Sequence, residues 1–359
     1  MSKHRLKKAR NLMLEQGLCA LFISSYENYR YFSGFAGSNA YLIITANESI
    51  LITDQRYTSQ AQEQAKDYEV ITHGIDPFIT LKEQFSRFDI KAIGFESLKM
   101  PVSLYEQLRN LCSSFQWAPL TTELLDIRKI KDASEISMIK RSVAISDQAF
   151  SDLLPIIQPG MTEKQVLIEL EYIKMKLGNE SPAFGTIVAS DKRAALPHAK
   201  PSDNQVKMND LLLIDYGVTY QGYMSDMTRT IWIGEPSKEL QQIYDYVAIA
   251  IEEAVAAVKP GISGHELDYV ARKVFLDAGV EQYSLRGLGH GVGLEIHENP
   301  RVVLNGEEPI EEGMIFTIEP GLYLPDKGGV RLEDMVLVTK DGCEVLTNTD
   351  RHIQLSVMG

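Results

Sequence analysis

Two aspartates in the second half of the sequence have the type and spacing of metal ligands. Asp215 directly follows the apolar run Leu211–Ile214, and Asp226 stands eleven residues further on, after a Tyr-Gln-Gly turn. A carboxylate at the end of a buried strand costs several kcal/mol unless hydrogen bonds or a cation compensate it. A hairpin of this length brings both carboxylates together, and adjacent carboxylates repel unless they share a proton or bridge a metal ion. Asp215 alone would be read as a strand-end cap or turn, but the pair predicts a metal site.

Three further residues with ligand chemistry stand in or beside β-rich segments. They are His290 in GLGHGVG, Glu319 in MIFTIEPGLY and Glu333 in GVRLEDM. A lone histidine is most often structural, and the glycines around it fit no phosphate-binding register. Four carboxylates with one imidazole, however, suit Mn²⁺, Co²⁺, Fe²⁺ or Zn²⁺. Bridging carboxylates in such a set can hold two ions about 3.5–4 Å apart, with a shared hydroxide as the nucleophile.

The composition narrows the possible functions. The chain has 359 residues, 44% hydrophobic and 24% charged, and a net charge of −13. Residues 1–125 contain 13 Lys and Arg against 13 Asp and Glu, whereas residues 126–359 contain 23 against 36. A surface this acidic argues against nucleic acid, which requires a basic footprint. The sequence also contains no serine-hydrolase GxSxG motif and no HExxH motif.

The location of the protein is predicted from three observations. No stretch approaches the ~18 apolar residues of a membrane span, and no signal-peptide core follows the basic N-terminus. The three cysteines, Cys19, Cys112 and Cys343, lie far apart and suggest no disulfide framework. We therefore expect a soluble cytoplasmic protein without a membrane partner.

The segments that carry these residues predict two domains. Residues 1–125 alternate helical and strand patterns, which predicts an α/β domain. It opens with an amphipathic helix whose apolar positions are Leu6, Ala9, Leu12 and Met13. Residues 126–359 begin with one long charged helix and then show two rounds of helix–helix–strands. This order predicts a pseudo-symmetric α+β domain, with one antiparallel sheet under four helices if the strands join.

Glu333 is expected to lie inside one of these strands, next to Asp334. Neighbouring residues on a strand face opposite sides, so one of the two carboxylates should be solvated.

Several segments, in this order, resemble those of the pita-bread metallopeptidases, which include methionine aminopeptidase, aminopeptidase P and prolidase. They are IDYGVTYQGYMSDMTRT, GLGHGVGLEIHENP, FTIEPGLY and GGVRLEDM. The segments AALPHAK, YRYFSGFAGSNA and TDQRYTSQA look like the proline-specific branch. The resemblance implies a pita-bread catalytic domain at 126–359 and a smaller creatinase-type α/β domain at 1–125.

The resemblance also implies a two-metal site. Asp215 would bind one ion bidentately, Asp226 and Glu333 would bridge, and His290 and Glu319 would complete the set. The two divalent ions would be Mn²⁺, with Co²⁺, Zn²⁺ or Fe²⁺ as alternatives.

Other residues would act on the substrate. Glu319 would pass a proton from the attacking water to the leaving amine, and His297 would stabilise the oxyanion of the scissile carbonyl. His198 would contact the substrate near the scissile nitrogen. Arg331 would orient the ligands, with a surface charge as the alternative interpretation.

Arg286 departs from the family pattern, because proline-specific members commonly have a histidine four residues before the metal-binding one. Its guanidinium could instead pair with a C-terminal carboxylate, which would favour short peptides.

The predicted function is therefore a metal-dependent exopeptidase that hydrolyses the Xaa-Pro bond of dipeptides or short peptides. The alternatives are an aminopeptidase P acting on longer Xaa-Pro peptides and a non-hydrolytic metal- or ligand-binding protein on the same fold. The resemblance further implies a homodimer.

Overall fold

The computed structural model of the protein describes residues 2–355. The chain divides into two compact units, Met1–Arg128 and Lys129–Gly359. The division lies three residues beyond the boundary expected from the sequence. Within residues 2–355, none of the helices combines the length and the apolar character needed to cross a bilayer.

The N-terminal unit is built on a six-stranded mixed sheet. Its strands are β1 (Ala20–Ile23), β2 (Tyr41–Thr45), β3 (Ser49–Asp54), β4 (Glu69–His73), β5 (Ala92–Glu96) and β6 (Gln116–Leu120). They lie in the order β4-β3-β2-β1-β5-β6. β2 runs antiparallel to both β1 and β3, and the other three neighbouring pairs are parallel.

In the described part of this unit, six helices accompany the sheet. They are α1 (Ser2–Glu15), α2 (Tyr26–Ser33), α3 (Thr58–Gln64), α4 (Pro77–Ser86), α5 (Val102–Leu111) and α6 (Glu123–Lys129). The predicted core face of α1 is confirmed, since its four apolar positions are buried. The sequence analysis missed α2, whose aromatic residues favour strands, and α4. Asp76 caps α4 by accepting from Phe78 N–H at 2.9 Å, a signal the sequence did contain.

The prediction that residues 126–359 begin with one uninterrupted long helix is wrong. The helix is interrupted after α6, and α7 (Ala133–Leu153) starts afresh. The Asp132 carboxylate accepts from Ser134 N–H and Glu135 N–H, while Glu135 accepts from Asp132 N–H. This reciprocal capping box fixes a helix start at a D-x-x-E pattern.

Between residues 129 and 355, the C-terminal unit contains four long helices and thirteen strands. The helices after α7 are α8 (Glu163–Lys176), α9 (Lys238–Ala257) and α10 (Gly264–Asp277), and 3₁₀ turns occur at Leu154–Ile156, Asp191–Ala195 and Glu281–Tyr283. The first strands are β7 (Ile187–Ser190), β8 (Asp210–Tyr216), β9 (Thr219–Tyr220), β10 (Tyr223–Met224), β11 (Met227–Ile233), β12 (Gly289–Gly291) and β13 (Glu298–Val302). The remaining strands are β14 (Ile315–Ile318), β15 (Gly321–Leu324), β16 (Gly328–Arg331), β17 (Asp334–Val338), β18 (Cys343–Val345) and β19 (Gln354–Leu355).

Hydrogen bonding divides these strands into separate sheets. One sheet has the order β19-β11-β8-β7 and another β13-β12-β14-β17-β18, while β9-β10 and β15-β16 form hairpins. The sheet expected from the sequence is therefore not one continuous ladder, and β19 joins β11 in parallel orientation.

The strand β8 is buried on both faces, which explains its uninterrupted apolar run. Leu212 and Ile214 belong to the core cluster that includes residues of α7 and α8. Leu211 and Leu213 belong to the cluster that includes residues of α9 and α10. A strand covered on both sides brings its terminal polar residue, Asp215, into a largely water-free environment.

Candidate metal centre

The hairpin of β8 and β11 places Asp215 and Asp226 at one end of the sheet. Asp215 is paired with Thr228, and Tyr216 with Met227, so Asp226 directly precedes the paired part of β11. Both aspartates are buried and line one cavity. The turn between the strands thus brings two carboxylates into one apolar setting.

His290 on β12 presents one ring nitrogen to these carboxylates. Its Nε2 lies 3.6 Å from Asp226 Oδ2 and 3.3 Å from Glu319 Oε1. Its Nδ1 lies 3.1 Å from the Gly291 carbonyl oxygen, which can only accept, so Nδ1 carries the proton. Loss of any proton on Nε2 would therefore leave a neutral ring whose Nε2 lone pair is directed at the carboxylates, as a metal ligand requires.

Glu333 and Asp334 are both buried, so the expectation that one of them is solvated is wrong. Glu333 lies between β16 and β17 rather than inside a strand. Asp334 accepts from Arg229 Nη2 and from Arg351 Nε, each at 2.7 Å. Two guanidinium groups therefore compensate the burial of Asp334, which alternation along a strand could not reveal.

Two carboxylate oxygens of the site have no compensation from the protein. Among residues 2–355, neither Asp215 Oδ1 nor Glu333 Oε1 meets a hydrogen-bond partner, although both atoms are buried. Ligand atoms of Asp226, His290 and Glu333 all lie within 4.8 Å of one another. Buried, unpartnered oxygens beside an imidazole nitrogen match the donor set of a divalent transition metal.

The electrostatics of the site also call for a cation. Burial raises the pKa of Asp226 well above its usual range, and repulsion by Glu333 and Asp215 adds to this. Burial, with repulsion by Glu319 and Asp215, does the same to the pKa of Glu333. Burial raises the pKa of Asp215 as well, although the Arg331 charge opposes it. Divalent cations would relieve these repulsions and keep all the carboxylates ionised.

Glu319 differs from the other carboxylates. In the protein without metal, burial acts to raise its pKa, but a His290 ring that carries a proton on Nε2, together with the charge of Arg331, outweighs burial and lowers it. Thr317 Oγ1 also donates to Glu319 Oε1 at 3.2 Å. Glu319 is therefore an anion that can accept a proton at neutral pH.

Arg331 is buried and organises the ligands, so the surface-charge interpretation is wrong. Its Nη2 donates to Asp215 Oδ2 at 2.6 Å, and its Nε donates to Thr228 Oγ1 at 3.0 Å. Thr228 in turn donates to Glu333 Oε2 at 2.6 Å. Nη1 of Arg331 donates to the Tyr323 hydroxyl oxygen at 2.7 Å. Sequence reasoning missed Thr228 and Tyr323, although the hairpin register places Thr228 opposite Asp215.

A cavity of about 490 Å³ opens onto the site. Its walls combine four of the five candidate ligands with two other predicted residues, His198 and His297. The His297 ring centroid lies 4.3 Å from that of His290. Desolvation and the neighbouring His290 lower the pKa of His297, so this imidazole is neutral at pH 7 and can donate one N–H.

The wall that carries His198 is fixed by a buried glutamate. Glu163 accepts from Ser190 N–H and Ser202 N–H, each at 2.9 Å, and from Arg193 Nε at 3.0 Å. Arg193 Nη2 also donates to the Lys200 carbonyl at 2.6 Å. These bonds tie the start of α8, the end of β7 and the segment 198–202 into one unit.

Arg286 lies away from this cavity. It lines a smaller pocket of about 90 Å³, together with Glu319 and Tyr323. Glu319 is thus the one predicted ligand that borders this second pocket instead of the larger cavity.

Comparison with known proteins identifies the family. The model of metallopeptidase family M24 matches residues 137–340, more than half of the chain. The chain belongs to metallopeptidase family M24. All five candidate ligands lie inside the M24 match. The creatinase/prolidase N-terminal domain matches residues 5–130, so the predicted fold class is confirmed.

Three similar M24 proteins illustrate the range of this similarity. The Xaa-Pro dipeptidase of Pyrococcus horikoshii is 36% identical, over 97% of this chain and 98% of that protein. The structure of an Xaa-Pro dipeptidase from Bacillus anthracis has a TM-score of 0.96 and 35% identity, covering 99% and 100% of the two chains. The structure of the X-Pro aminopeptidase from Thermotoga maritima has a TM-score of 0.91 and 38% identity, covering 94% and 98%.

Proposed function

We propose that the chain is a metal-dependent exopeptidase that hydrolyses the Xaa-Pro bond of dipeptides or short peptides with a free N-terminus. The observation that carries this proposal is the pair of buried, unpartnered oxygens, Asp215 Oδ1 and Glu333 Oε1, in a cavity that also exposes His198 and His297. The names of the similar M24 proteins support the choice of substrate.

The proposed cofactor is a pair of divalent ions, with Mn²⁺ first and Co²⁺, Zn²⁺ or Fe²⁺ as alternatives. Such ions, when bound, lower the pKa of water and polarise a carbonyl group. In this proposal Asp226 and Glu333 would be the ligands that both ions share, and Asp215, His290 and Glu319 would complete the set. Arg331 holds Asp215 in orientation through the 2.6 Å bond.

The chain's own groups supply the proton transfers and the charge stabilisation. Glu319 accepts the proton of the attacking water and gives it to the leaving prolyl nitrogen, a role for which its carboxylate must be ionised, as its lowered pKa keeps it. His297 donates its N–H to the scissile carbonyl oxygen and stabilises the negative charge that develops there. His198, on the same cavity wall, contacts the substrate near the scissile nitrogen.

A preference for proline follows from the groups that this site uses. The Xaa-Pro amide has no N–H and a ring-fixed φ, so peptidases that bind an extended N–H recognise it poorly. The groups named above need only the carbonyl oxygen, the amide nitrogen and the free amine. An acidic cavity attracts that amine as a cation.

The presence of Arg286 favours dipeptides over longer peptides as the substrate. Its exposed guanidinium lines the pocket beside Glu319 and Tyr323, where it could pair with the free carboxylate of the proline. We expect Arg286→Ala to reduce kcat/KM on free dipeptides about tenfold more than on their C-terminal amides. An unchanged ratio between the two substrates would remove this role.

The proposed function is tested by hydrolysis with metal-stripped protein, with and without Mn²⁺. The substrates are an Xaa-Pro dipeptide, an Xaa-Pro-Yaa tripeptide and a methionyl peptide without proline. Metal-dependent cleavage of the dipeptide alone is the expected result, whereas turnover of the tripeptide would favour the aminopeptidase P alternative. Cleavage of only the methionyl peptide, or of none with any of the four metals, would overturn the proposal.

We further propose a cytoplasmic homodimer. The reducing compartment is supported by Cys19, Cys112 and Cys343, which are all free thiols. Light scattering at several protein concentrations would measure the assembly directly.

A further inference from the structure

A buried ion pair includes Glu298, the residue that follows His297, and the proposed reaction does not use it. Lys131 Nζ is 3.1 Å from Glu298 Oε2, and the two side chains are only 1% and 2% exposed. Burying two charges costs free energy that their attraction does not reliably regain. We therefore attribute this ion pair to the geometry that it imposes rather than to a gain in the stability of the fold.

The carboxylate of Glu298 organises the turn that leads to His297. Its Oε1 accepts from Glu295 N–H at 3.1 Å, and Gly293 N–H donates to the Glu295 carbonyl at 3.0 Å. A Cβ atom at position 293 would lie 2.5 Å from Glu298 Oε2, so a larger residue there would displace the carboxylate from its present position. The turn 293–298 is thus built on one side chain.

The other end of the ion pair is anchored in a different part of the same unit. Lys131 N–H donates to the Gly313 carbonyl at 2.9 Å, and Ile130 forms a β-bridge with Met314. Lys131 therefore has a fixed backbone from which its ammonium group holds Glu298.

A displacement of Glu298 would directly affect the arrangement of His297 and His290 in the candidate site. Glu298 opposes Gly291, the neighbour of His290, in the β12–β13 ladder, which shifts register at this point. The His297 and His290 rings are 4.3 Å apart. The backbone of residue 298 therefore sets the distance between the proposed oxyanion donor and a candidate metal ligand.

We infer that the Lys131–Glu298 ion pair positions His297, by fixing the turn 293–298 so that the imidazole faces the cavity. Lys131 and Glu298 do not touch the reacting atoms in this arrangement. The inference rests on the proposed function, since it assigns His297 the task of stabilising the carbonyl oxygen.

The test compares Lys131→Met with Lys140→Met. Lys140 forms an ion pair of 2.8 Å with Glu344 in which both side chains are exposed, so it controls for the loss of a lysine. We expect Lys131→Met to lower kcat on an Xaa-Pro dipeptide about 10- to 100-fold with KM changed less than about threefold. Lys140→Met should leave both constants unchanged.

A double-mutant cycle separates positioning from general damage. We expect His297→Ala alone to lower kcat about 100-fold, and Lys131→Met to add less than about threefold in that background. Fully additive losses, or an unchanged kcat in the single variant, would overturn the inference. If Lys131→Met does not fold, Glu298→Gln, which keeps the side-chain volume, enters the same cycle with the same criteria.

Hydrogen exchange gives a readout that does not depend on catalysis. We expect the Glu295 amide to exchange about tenfold faster in Lys131→Met than in the wild type or in Lys140→Met. An unchanged exchange rate of the Glu295 amide would contradict the role of the ion pair in fixing the turn, even if the enzyme is active. If the wild type cleaves no Xaa-Pro peptide but the exchange rate rises in Lys131→Met, the proposed function fails while the role of the ion pair in fixing the turn is supported.

Discussion

Two buried glutamates of the C-terminal unit show how similar burial serves different ends. Glu163, at the start of α8, is 0% exposed, and Glu333, between β16 and β17, is 1% exposed. Both oxygens of Glu163 accept hydrogen bonds, including those from Ser190, Ser202 and Arg193. Glu333 Oε2 accepts from Thr228, whereas Oε1 meets no donor in the described part of the chain.

Burial alone therefore does not mark a functional carboxylate. Glu163 is neutralised by its own neighbours, so it can act as a structural support. Glu333 is surrounded by other carboxylates, and burial and their repulsion raise its pKa. The metal-free protein therefore contains an electrostatic cost that a bound cation removes, which is what a binding site requires.

The largest expected effect is a loss of activity that is much greater on substitution of Glu333 than of Glu163. Glu333→Gln should lower kcat/KM by at least about 1,000-fold, because it removes a proposed bridging ligand. The same change should raise the unfolding free energy of the metal-free protein, because it removes a repelled charge. Kinetics with Mn²⁺ and urea unfolding without it check both statements. A Glu333→Gln variant that is active, or less stable when metal-free, would contradict the proposed difference between Glu333 and Glu163.

A second prediction concerns the arginine that partners one oxygen of Asp215. Arg331→Lys keeps the charge but loses the planar fork that reaches Asp215, Thr228 and Tyr323. We expect kcat/KM to fall about 10- to 100-fold, as for other residues that orient metal ligands. Arg351→Lys is the matched control, since Arg351 binds Asp334 outside the cavity. Equal losses in both variants would contradict a specific role for Arg331.

Glu163→Gln should show the opposite balance to Glu333→Gln. It leaves Arg193 without its carboxylate and weakens the bonds to Ser190 and Ser202, so the unfolding free energy should fall by about 2–3 kcal/mol. The activity of the folded fraction should fall less than about tenfold, because Glu163 only supports the segment with His198. Unfolding curves and kinetics on one preparation measure both, and an increase in stability would refute the distinction.

Asp210 is a third buried carboxylate, and its substitution is expected to have the smallest effect. Its Oδ1 accepts from Leu211 N–H, while Oδ2 is unpartnered within residues 2–355. Burial, with the charge of Asp191, raises the pKa of Asp210 to about 6. The folded state therefore binds the proton more tightly than the unfolded chain, and this group destabilises the fold progressively as pH rises from about 4 to 6.

Asp210→Asn should consequently stabilise the protein by about 1–2 kcal/mol at pH 7.5 and have no effect near pH 4. Urea unfolding of the metal-free protein at the two pH values measures this difference. A gain that is equal at both pH values would show that ionisation of Asp210 is not its cause.

The candidate metal ligands could be predicted from the sequence more completely than the contacts that hold them in place. Asp215 and Glu319 each follow a run of mainly apolar residues, and Asp226 follows Asp215 at the spacing of a hairpin, so the cost of burying them could be inferred from neighbours in the chain. The contacts of Arg331 with Asp215 and Thr228 join residues more than one hundred positions apart, which no local pattern indicates. The same holds for the ion pair of Lys131 with Glu298.

Local elements were predicted where one signal dominated. The opening helix has a single apolar stripe, and β8 is a continuous apolar run, so both were found. The break between α6 and α7 was missed because charged residues continue the helical pattern through Asp132, which ends it by capping the next helix. The burial of Asp334 was missed because its two arginine partners are supplied by β11 and by the segment near residue 351.

The number of Mn²⁺ ions that the metal-stripped protein binds, measured by calorimetry and elemental analysis, tests the metal centre most directly. We expect two ions per wild-type chain, with release of protons because the pKa values of Asp226 and Glu333 are raised. Glu163→Gln should retain both ions, and Glu333→Gln should lose at least one. A wild-type chain that binds no ion, or a Glu333→Gln variant that binds two as tightly, would contradict the claim that unpartnered buried carboxylates form the metal centre.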